Sequence, residues 1–495
     1  MKKIFTIFAA ACLFASCNLD QFPPSDIAAD SYIKDDASLN NVVIGMYNGM
    51  YDVLNNEWAV TELRTNNVRM RESGSSANDT KLIEELDQAT ISTSNNFLDD
   101  YWKGCYKTIK RANTVLENLD KAKVEANRNQ YEGEARFLRS LVYFNLVRLW
   151  GPVFIMKSSE DYADARNLQR SPVEDVYKLI IADLETIING ELLPEKVDAS
   201  LSGRAEMDAA RFLLAKVGMT IYQPGESGYS YSRELLAQVV KNRYKGSLVP
   251  YDRVFAVDNE MNEEIIFAIR YKAGNLGIGA PFSTLYGPLN NGGAVVVGSP
   301  KHYNYPSDNL IAEYEAGDLR KDVTLKESYI NAVGEVVDNP VQGRFCNKFI
   351  DYTMVTANDA ETDFPIMRVA DAMLLLAEAI SEVSGPDDEA LALINAVRGR
   401  AGLAPRTLDE LNSRYAFRQA LRHERRIELA LENQHWYDLL RWGIATSTVN
   451  NFLATEPLYS SYPHPVNPIE DWQCTLPIPT SVRNINPTVA QNPGY

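Results

Sequence analysis

The sequence predicts a mainly α-helical protein of stacked helix pairs, a tetratricopeptide-like scaffold interrupted by an irregular, loop-rich insert. Apolar residues recur at three- and four-residue intervals through several long segments, which is the pattern of one buried helix face. Between 244 and 365 this periodicity fades, and glycine, proline, asparagine and tyrosine concentrate instead. We therefore expect a single domain over 17–495, with helical scaffold at 36–243 and 366–443 and an extended segment at 444–495.

The first sixteen residues are typical of a lipoprotein export signal. Two lysines open the chain, an apolar run follows at 4–14, and the small pair Ala15 and Ser16 precedes Cys17. A cysteine in that place is the acylation pattern, so we predict that cleavage leaves a lipidated Cys17 as the new N-terminus. An ordinary signal peptide with Cys17 as a bystander is the alternative. Elsewhere the chain lacks eighteen uninterrupted apolar residues, so the predicted anchor is covalent lipid.

The helical segments follow one another at short intervals. The segment 131–149 carries two apolar rows, one with Leu138 and Val142 and another with Leu141 and Phe144, so it needs neighbours on two sides. Such helices stack into an array, although the strict repeat of tetratricopeptide units is absent. The predicted helices are 98–119, 131–149, 173–188, 209–221, 235–240, 369–383, 389–397 and a long run at 408–442, with a strand at 265–269 in the insert.

The composition is that of an acidic, folded protein. The chain has 49 Lys and Arg against 66 Asp and Glu, a net charge of −17, and such a field argues against nucleic acid as a partner. Of the five cysteines, Cys12 lies in the signal, which leaves Cys105, Cys346 and Cys474 besides the lipidated one. Three thiols do not make a disulfide framework, and either one bridge or three free thiols fits the sequence.

Four blocks and the chain's ending resemble a known family. They are EARFLR at 134–139 running on to 152, RVAD at 368–371, INAVRGRAGL at 394–403, ERRIEL at 424–429 running on to 442, and finally 476–495. In this order they are similar to the SusD/RagB family of outer-membrane lipoproteins that serve nutrient uptake. The resemblance implies a SusD-like fold, a lipid anchor at the outer membrane that faces the extracellular side, and a SusC-type TonB-dependent transporter as partner.

Two residues depart from the family's pattern in the fourth block. Asn433 stands where relatives usually have glycine, and His435 stands where they usually have arginine. Any ion pair that the arginine forms in relatives is therefore absent at position 435. Asparagine tolerates the left-handed conformation of a helix end better than most residues, so the fold need not change at 433.

Charged residues of the same block predict a structural role. Arg425, Glu428, Asp438 and Arg441 stand at helical spacing among apolar residues, and buried charges must be paired. We predict ion pairs that lock helix to helix rather than a catalytic carboxylate pair, which would need a cleft. The four histidines form no metal motif, and the glycines at 274–279 lack the strand-loop-helix unit of a dinucleotide site. No metal, cofactor or catalytic residue is predicted.

Ligand recognition is predicted in loops that mix aromatic and polar residues. Sugars present apolar ring faces edged with hydroxyls, so their sites need aromatic planes beside amides and charges. The candidate ligand residues are Asn66, Arg71, Asn96, Phe97, Tyr286, Asn290, Tyr303 and Tyr305. The arginines Arg64, Arg69 and Arg71 would also suit carboxylates or acidic sugars. The alternative for each aromatic residue is packing inside loop-rich structure.

These observations predict a surface lipoprotein that captures an oligosaccharide and delivers it to the transporter. Capture of peptides, as RagB-type members suggest, is the alternative within binding. A glycoside hydrolase on a helical scaffold is the alternative from another class.

Overall fold

The computed structural model describes residues 32–70, 77–338, 343–456 and 467–495. The predicted signal, Cys17 and Arg71 lie outside these residues. The longer helices are α1 Asp36–Val60, α2 Ala77–Asp87, α3 Asn96–Glu117, α4 Glu125–Trp150, α5 Val173–Asn189, α6 Met207–Ile221, α7 Ser227–Arg243, α8 Val369–Ser384, α9 Asp388–Arg400, α10 Arg414–Glu428, α11 His435–Arg441 and α12 Ala445–Thr455. The mainly α class is confirmed.

The long helices stack in one continuous array. Helix α1 packs on α3, α3 on α4, α4 on α5, α5 on α6 and α6 on α7. Helix α7 then packs on α8, although the whole insert separates them in sequence, and α8 packs on α9 and α10. The insert therefore interrupts the chain without interrupting the stack. Within the described residues, no helix combines the length and apolar character needed to cross a bilayer.

Helix α1 was not among the predicted helices. Its buried residues Leu39, Val43, Met46 and Met50 have the three-four spacing that would have revealed it. The side chain of Asp35 accepts a hydrogen bond from Ser38 N and fixes the start of the helix. The 25-residue helix continues as far as Val60 and buries Trp58 near its end.

Short antiparallel strand pairs organise the insert. The pairs are β1 Val68–Arg69 with β3 Tyr305–Pro306, β2 Ile265–Ile269 with β8 Phe364–Arg368, β4 Leu325–Lys326 with β7 Phe345–Cys346, and β5 Tyr329–Ile330 with β6 Val336–Val337. The predicted strand at 265–269 is confirmed. Because β8 leads directly into α8, the β2–β8 pair closes the base of the insert on the scaffold. Short helices lie at Ser159–Ala163, Tyr251–Val254, Phe282–Tyr286, Asp308–Glu313, Lys321–Thr324 and Thr480–Ile485.

The predicted run at 408–442 is wrong as one helical stretch. It divides into α10 and α11, because Leu431 and Asn433 have φ of 66° and 61°. Those values are left-handed and cannot continue an α-helix. Asparagine at 433 adopts the conformation that the family's glycine would favour, as expected from the sequence.

The C-terminal segment is only partly extended, which corrects the prediction for 444–495. It contains α12 and the short helix Thr480–Ile485. Leu476 and Pro477 contact the end of α4: Leu476 N donates to the carbonyl of Leu149 over 2.8 Å, and Trp150 Nε1 donates to the carbonyl of Pro477 over 2.8 Å. The chain ending is thereby part of the scaffold's packing.

Ion pairs join α8, α10 and α11, as predicted. Buried Arg425 pairs with Asp371 at 2.8 Å and with Asp438 at 2.9 Å. Arg441 pairs with Asp438 at 2.8 Å and with Glu378 at 2.5 Å. Each carboxylate lies on a different helix from at least one of its partners, so removal of one member leaves an uncompensated buried charge.

A second ionic cluster ties the insert to α10. Glu428 contacts the guanidinium groups of Arg320, Arg368 and Arg400. Burial alone would raise the pKa of Glu428, but these three cations lower it to about 2. Arg320 belongs to the insert, whereas Arg400 ends α9. The cluster therefore fixes the insert against the helical stack.

Cys105, Cys346 and Cys474 are free thiols.

Candidate functional site

An aromatic cluster lies where α1 and α3 meet the insert. The ring of Trp58 stacks on Tyr303 with centroids 4.7 Å apart and planes 20° apart. Phe97 and Tyr286 approach Trp58 edge-on at 5.7 and 6.5 Å. Trp58 is 1% exposed, whereas Phe97 is partly exposed. The cluster of Trp58, Phe97, Tyr286 and Tyr303 thus reaches the surface through Phe97.

Local hydrogen bonds hold the two ends of this cluster. Asn95 caps α3, its side-chain oxygen accepting from Phe97 N over 3.1 Å. The Asn95 amide donates to the carbonyl of Leu82 over 2.8 Å, which anchors the cap to α2. On the insert side, Tyr303 N donates to the carbonyl of Leu285 over 2.8 Å. Because these bonds hold the backbone N–H groups of Phe97 and Tyr303, the positions of the two rings follow from the fold.

Two predicted ligand residues, Asn96 and Phe97, share this surface. Asn96 is exposed at the start of α3, next to the partly exposed ring of Phe97. Tyr303, also predicted, is buried and stacks on Trp58, the ring that Phe97 approaches edge-on. The structure therefore brings three of the predicted residues into one place, two at the surface and one in support.

The predicted roles of Tyr286 and Tyr305 need correction. They are 1% and 0% exposed, and their rings lie against protein in this structure. Tyr286 packs on Phe282 at 5.9 Å, inside the aromatic core of the insert. Tyr305 belongs to strand β3 and is covered by Arg344, whose guanidinium lies 5.4 Å from the ring centroid. Neither ring presents a free face for a sugar.

Asn66 is also buried, which corrects its predicted role. Its side-chain amide lies 2.8 Å from Nε2 of His435. Burial lowers the pKa of His435 to about 3, so this imidazole is neutral at physiological pH. The backbone carbonyl of Asn66 accepts from Arg426 over 3.0 Å. These contacts tie the segment after α1 to α10 and α11.

The described arginines of the predicted basic cluster point inward. Arg64 donates to the carbonyls of Gln473 and Cys474 over 2.8 and 3.0 Å. Arg69 pairs with Asp87 at 3.5 Å, and both are buried. The prediction that Arg64 and Arg69 receive a carboxylate ligand is therefore wrong.

Asn290 lies exposed at the tip of a loop, with a left-handed φ of 54°. Neighbouring Asn291 holds this loop, its side-chain oxygen accepting from Val295 N over 3.0 Å. The hydroxyl of Tyr329 donates to the carbonyl of Leu289 over 3.2 Å, which places Asn290 beside the β5–β6 pair. A ligand role for Asn290 stays a prediction.

Tyr352 is an exposed aromatic residue that the sequence reasoning missed. It is 57% exposed, and its hydroxyl donates to the side chain of Asn347. Its loop is tied to the helix Phe282–Tyr286, because Asp351 N donates to Ser283 Oγ over 2.8 Å. A tyrosine flanked by aspartate and threonine in a polar loop was a signal that could have identified it.

Charges on α1 and α3 surround the exposed part of the aromatic cluster. Lys103 pairs with Asp99 at 2.6 Å, and Lys107 pairs with Asp52 at 2.7 Å. Asp100 forms no ion pair with any described lysine or arginine. Partial burial raises its pKa, and repulsion from Asp99 and Asp52 adds to that effect. The surface thus combines an aromatic ring, an amide and one unpaired carboxylate.

Comparisons with known proteins agree with this fold. The profile of the SusD family matches residues 321–495, and the profile described as "Starch-binding associating with outer membrane" matches residues 18–219. The SusD-like protein P25 of Formosa agariphila is 25% identical over 99% of this chain and 98% of its own length. A SusD-like protein of Bacteroides ovatus is 26% identical over 89% of this chain and 82% of its own.

Solved structures show the same architecture. A laminarin-binding SusD-like protein superposes with a TM-score of 0.75 at 24% identity, covering 93% of this chain and 100% of its own. Surface glycan-binding protein A of Bacteroides thetaiotaomicron, in complex with laminarihexaose, gives 0.75 at 21% identity over 92% and 99%. Stacked helix pairs with a loop-rich insert are therefore a SusD-like fold. The chain belongs to the SusD/RagB family.

Proposed function

We propose that this protein captures an oligosaccharide at the cell surface and delivers it to a SusC-type TonB-dependent outer-membrane transporter. The observation that carries the proposal is the aromatic cluster, which reaches the surface at Phe97 with Asn96 and Asp100 beside it. An aromatic ring covers the apolar face of a sugar, while an amide and a carboxylate bind its hydroxyls. Tyr352 supplies a second exposed ring on the insert.

The family context supports the same proposal. Two of the similar structures are described as binding laminarin or laminarihexaose. The predicted lipid on Cys17 would hold the protein at the outer membrane beside the transporter. In this proposal the protein binds its ligand without turnover, and passage across the membrane is the work of the transporter.

Single substitutions of exposed rings test ligand capture. We would replace Phe97 and Tyr352 singly by alanine and titrate each variant against soluble neutral glycans that include laminarin. Loss of one stacking ring is expected to weaken binding about ten- to a hundredfold, if sugars stack as other flat ligands do. Tyr415→Ala is the matched control, because Tyr415 is 69% exposed but lies on α10, outside the insert.

The outcomes separate the alternatives. If the Phe97 and Tyr352 variants both bound glycan as tightly as the wild type, the ligand would bind at another surface. If the wild type released reducing ends from a glycan, the protein would be a glycoside hydrolase rather than a binding protein. Retention of peptides but of no glycan would favour the RagB-like alternative.

A further inference from the structure

Four described arginines that could receive an anionic sugar already have partners within the protein. Arg64 and Arg69 are buried against backbone carbonyls and Asp87. In the insert, Arg344 pairs with Asp308 at 2.5 Å, and Arg270 pairs with Asp363 at 3.0 Å. Arg64 and Arg69 are buried, and Arg344 and Arg270 are each offset by a carboxylate, so none of these four groups offers an uncompensated positive charge to a ligand.

The lysines nearest the aromatic cluster are engaged as well. On α3, Lys103 and Lys107 pair with Asp99 and Asp52. On the insert, Lys272 pairs with Glu361. Lys301 also has an interaction partner. Among the described residues, Lys103, Lys107 and Lys272 are therefore each paired with a carboxylate, whereas one carboxylate on α3 has no ion-pair partner.

That carboxylate belongs to Asp100. It is exposed, and it stands three residues after Phe97 on α3, so the two side chains are neighbours on one helix face. An unpaired carboxylate accepts charge-assisted hydrogen bonds from hydroxyl groups. It also repels a ligand carboxylate or sulfate. A sugar stacked on Phe97 would meet both effects at once.

We propose that Asp100 is a specificity-determining residue that makes the site select uncharged oligosaccharides over uronate-containing or sulfated ones. The inference rests on the proposed function and names the ligand class of that same site. It differs from the sequence-based alternative of an acidic sugar, because Arg64 and Arg69, the two described arginines of the three expected to bind one, face inward.

The test uses one ligand in two charge states. A neutral glycan that the wild type binds is oxidised at its primary alcohols to carboxylates, and the full-length protein is titrated with both forms. The oxidised form is expected to bind the wild type roughly tenfold more weakly in low salt. About 1 M salt should reduce this difference, because the Debye length falls to about 3 Å.

Oxidation both adds a carboxylate to the glycan and removes its primary alcohol. Asp100→Asn distinguishes repulsion between the two carboxylates from the loss of contacts made by that alcohol. The variant is expected to bind the neutral form several-fold more weakly and to discriminate less between the two forms, whereas Asp100→Glu should preserve the discrimination. Asp120→Asn is the charge-matched control, since Asp120 lies just beyond the other end of α3. Thermal melts of each variant verify that it is folded.

The possible results distinguish failure of the charge selection, of the role of Asp100 and of the proposed function. Equal or tighter binding of the oxidised glycan, or exclusive binding of naturally acidic glycans, would overturn the charge selection while leaving glycan capture standing. Discrimination unchanged in Asp100→Asn would overturn the role of Asp100. Binding of no glycan in either charge state would defeat the proposed function, and the inference with it.

Discussion

At the scale of single residues, Glu57 is a buried acid whose side-chain hydrogen bonds come from neutral groups. It lies in α1, directly before Trp58, and its Oε1 accepts from Tyr101 at 3.4 Å, Asn145 at 3.2 Å and Tyr437 at 3.2 Å. Burial raises its pKa from the usual 4.5 to about 7, only partly opposed by nearby cations such as Arg148. The acid therefore links α1 to Tyr101 of α3, Asn145 of α4 and Tyr437 of α11, and its ionisation costs stability as pH rises.

Glu57→Gln should flatten the pH dependence of stability. The folded state holds the Glu57 proton more tightly than the unfolded state, so its contribution is full below pH 4.5 and declines as pH rises to 7. At pH 8 the wild type should have lost about 3 kcal/mol, and the glutamine variant should then be the more stable protein. Urea unfolding at pH 5 and pH 8 measures both, with Glu185→Gln as an exposed control. Parallel pH profiles for wild type and variant would contradict the buried-acid account.

At the scale of elements, the periodicity of apolar residues predicted where helices and strands form but did not predict where a helix ends when the apolar pattern continues past that end. Helix α4 from Tyr131 onward and strand β2 were predictable because apolar residues recur through them, whereas the mostly polar residues 125–130 of α4 gave no such signal. The end of α10 was not, because the chain turns at Leu431 and Asn433 through two left-handed residues while the apolar pattern continues across the turn. The ion pairs at Arg425 were predictable, since charged residues among apolar ones must find partners.

Arg425→Ala should destabilise the fold through the two carboxylates that it leaves behind. Asp371 and Asp438 are both buried, so the expected loss is on the order of 3 kcal/mol in the free energy of unfolding. Arg418→Ala removes a half-exposed pair with Glu382 from the same helix and should cost less than about 1 kcal/mol. Urea denaturation of the two variants gives the comparison. Equal losses would mean that burial does not set the cost of breaking these pairs.

At the scale of the whole molecule, the sequence predicted which segments meet at one surface better than it predicted which of their residues are exposed. The loop before α3 was predictable, because Asn95 caps a helix whose first residues must then lie at the surface. Tyr286 and Tyr305 could not be told from surface tyrosines, since their burial depends on Phe349 and Arg344, which lie far from them in the sequence. Packing of an irregular insert is set by contacts that carry no periodic signal.

The anchor is the remaining prediction for the molecule as a whole, and it depends on a single sulfur atom. Acylation of a new N-terminal cysteine requires its thiol, so Cys17→Ala should yield an exported protein that lacks lipid. In cells without the transporter, detergent partitioning should then move the variant from the membrane fraction to the aqueous fraction, because about 0.8 kcal/mol per buried methylene is lost with the acyl chains. Cys12→Ala is the matched control, since that cysteine lies within the segment that cleavage removes. A Cys17→Ala protein that still partitions with membranes would show that something other than lipid on this residue holds the chain there.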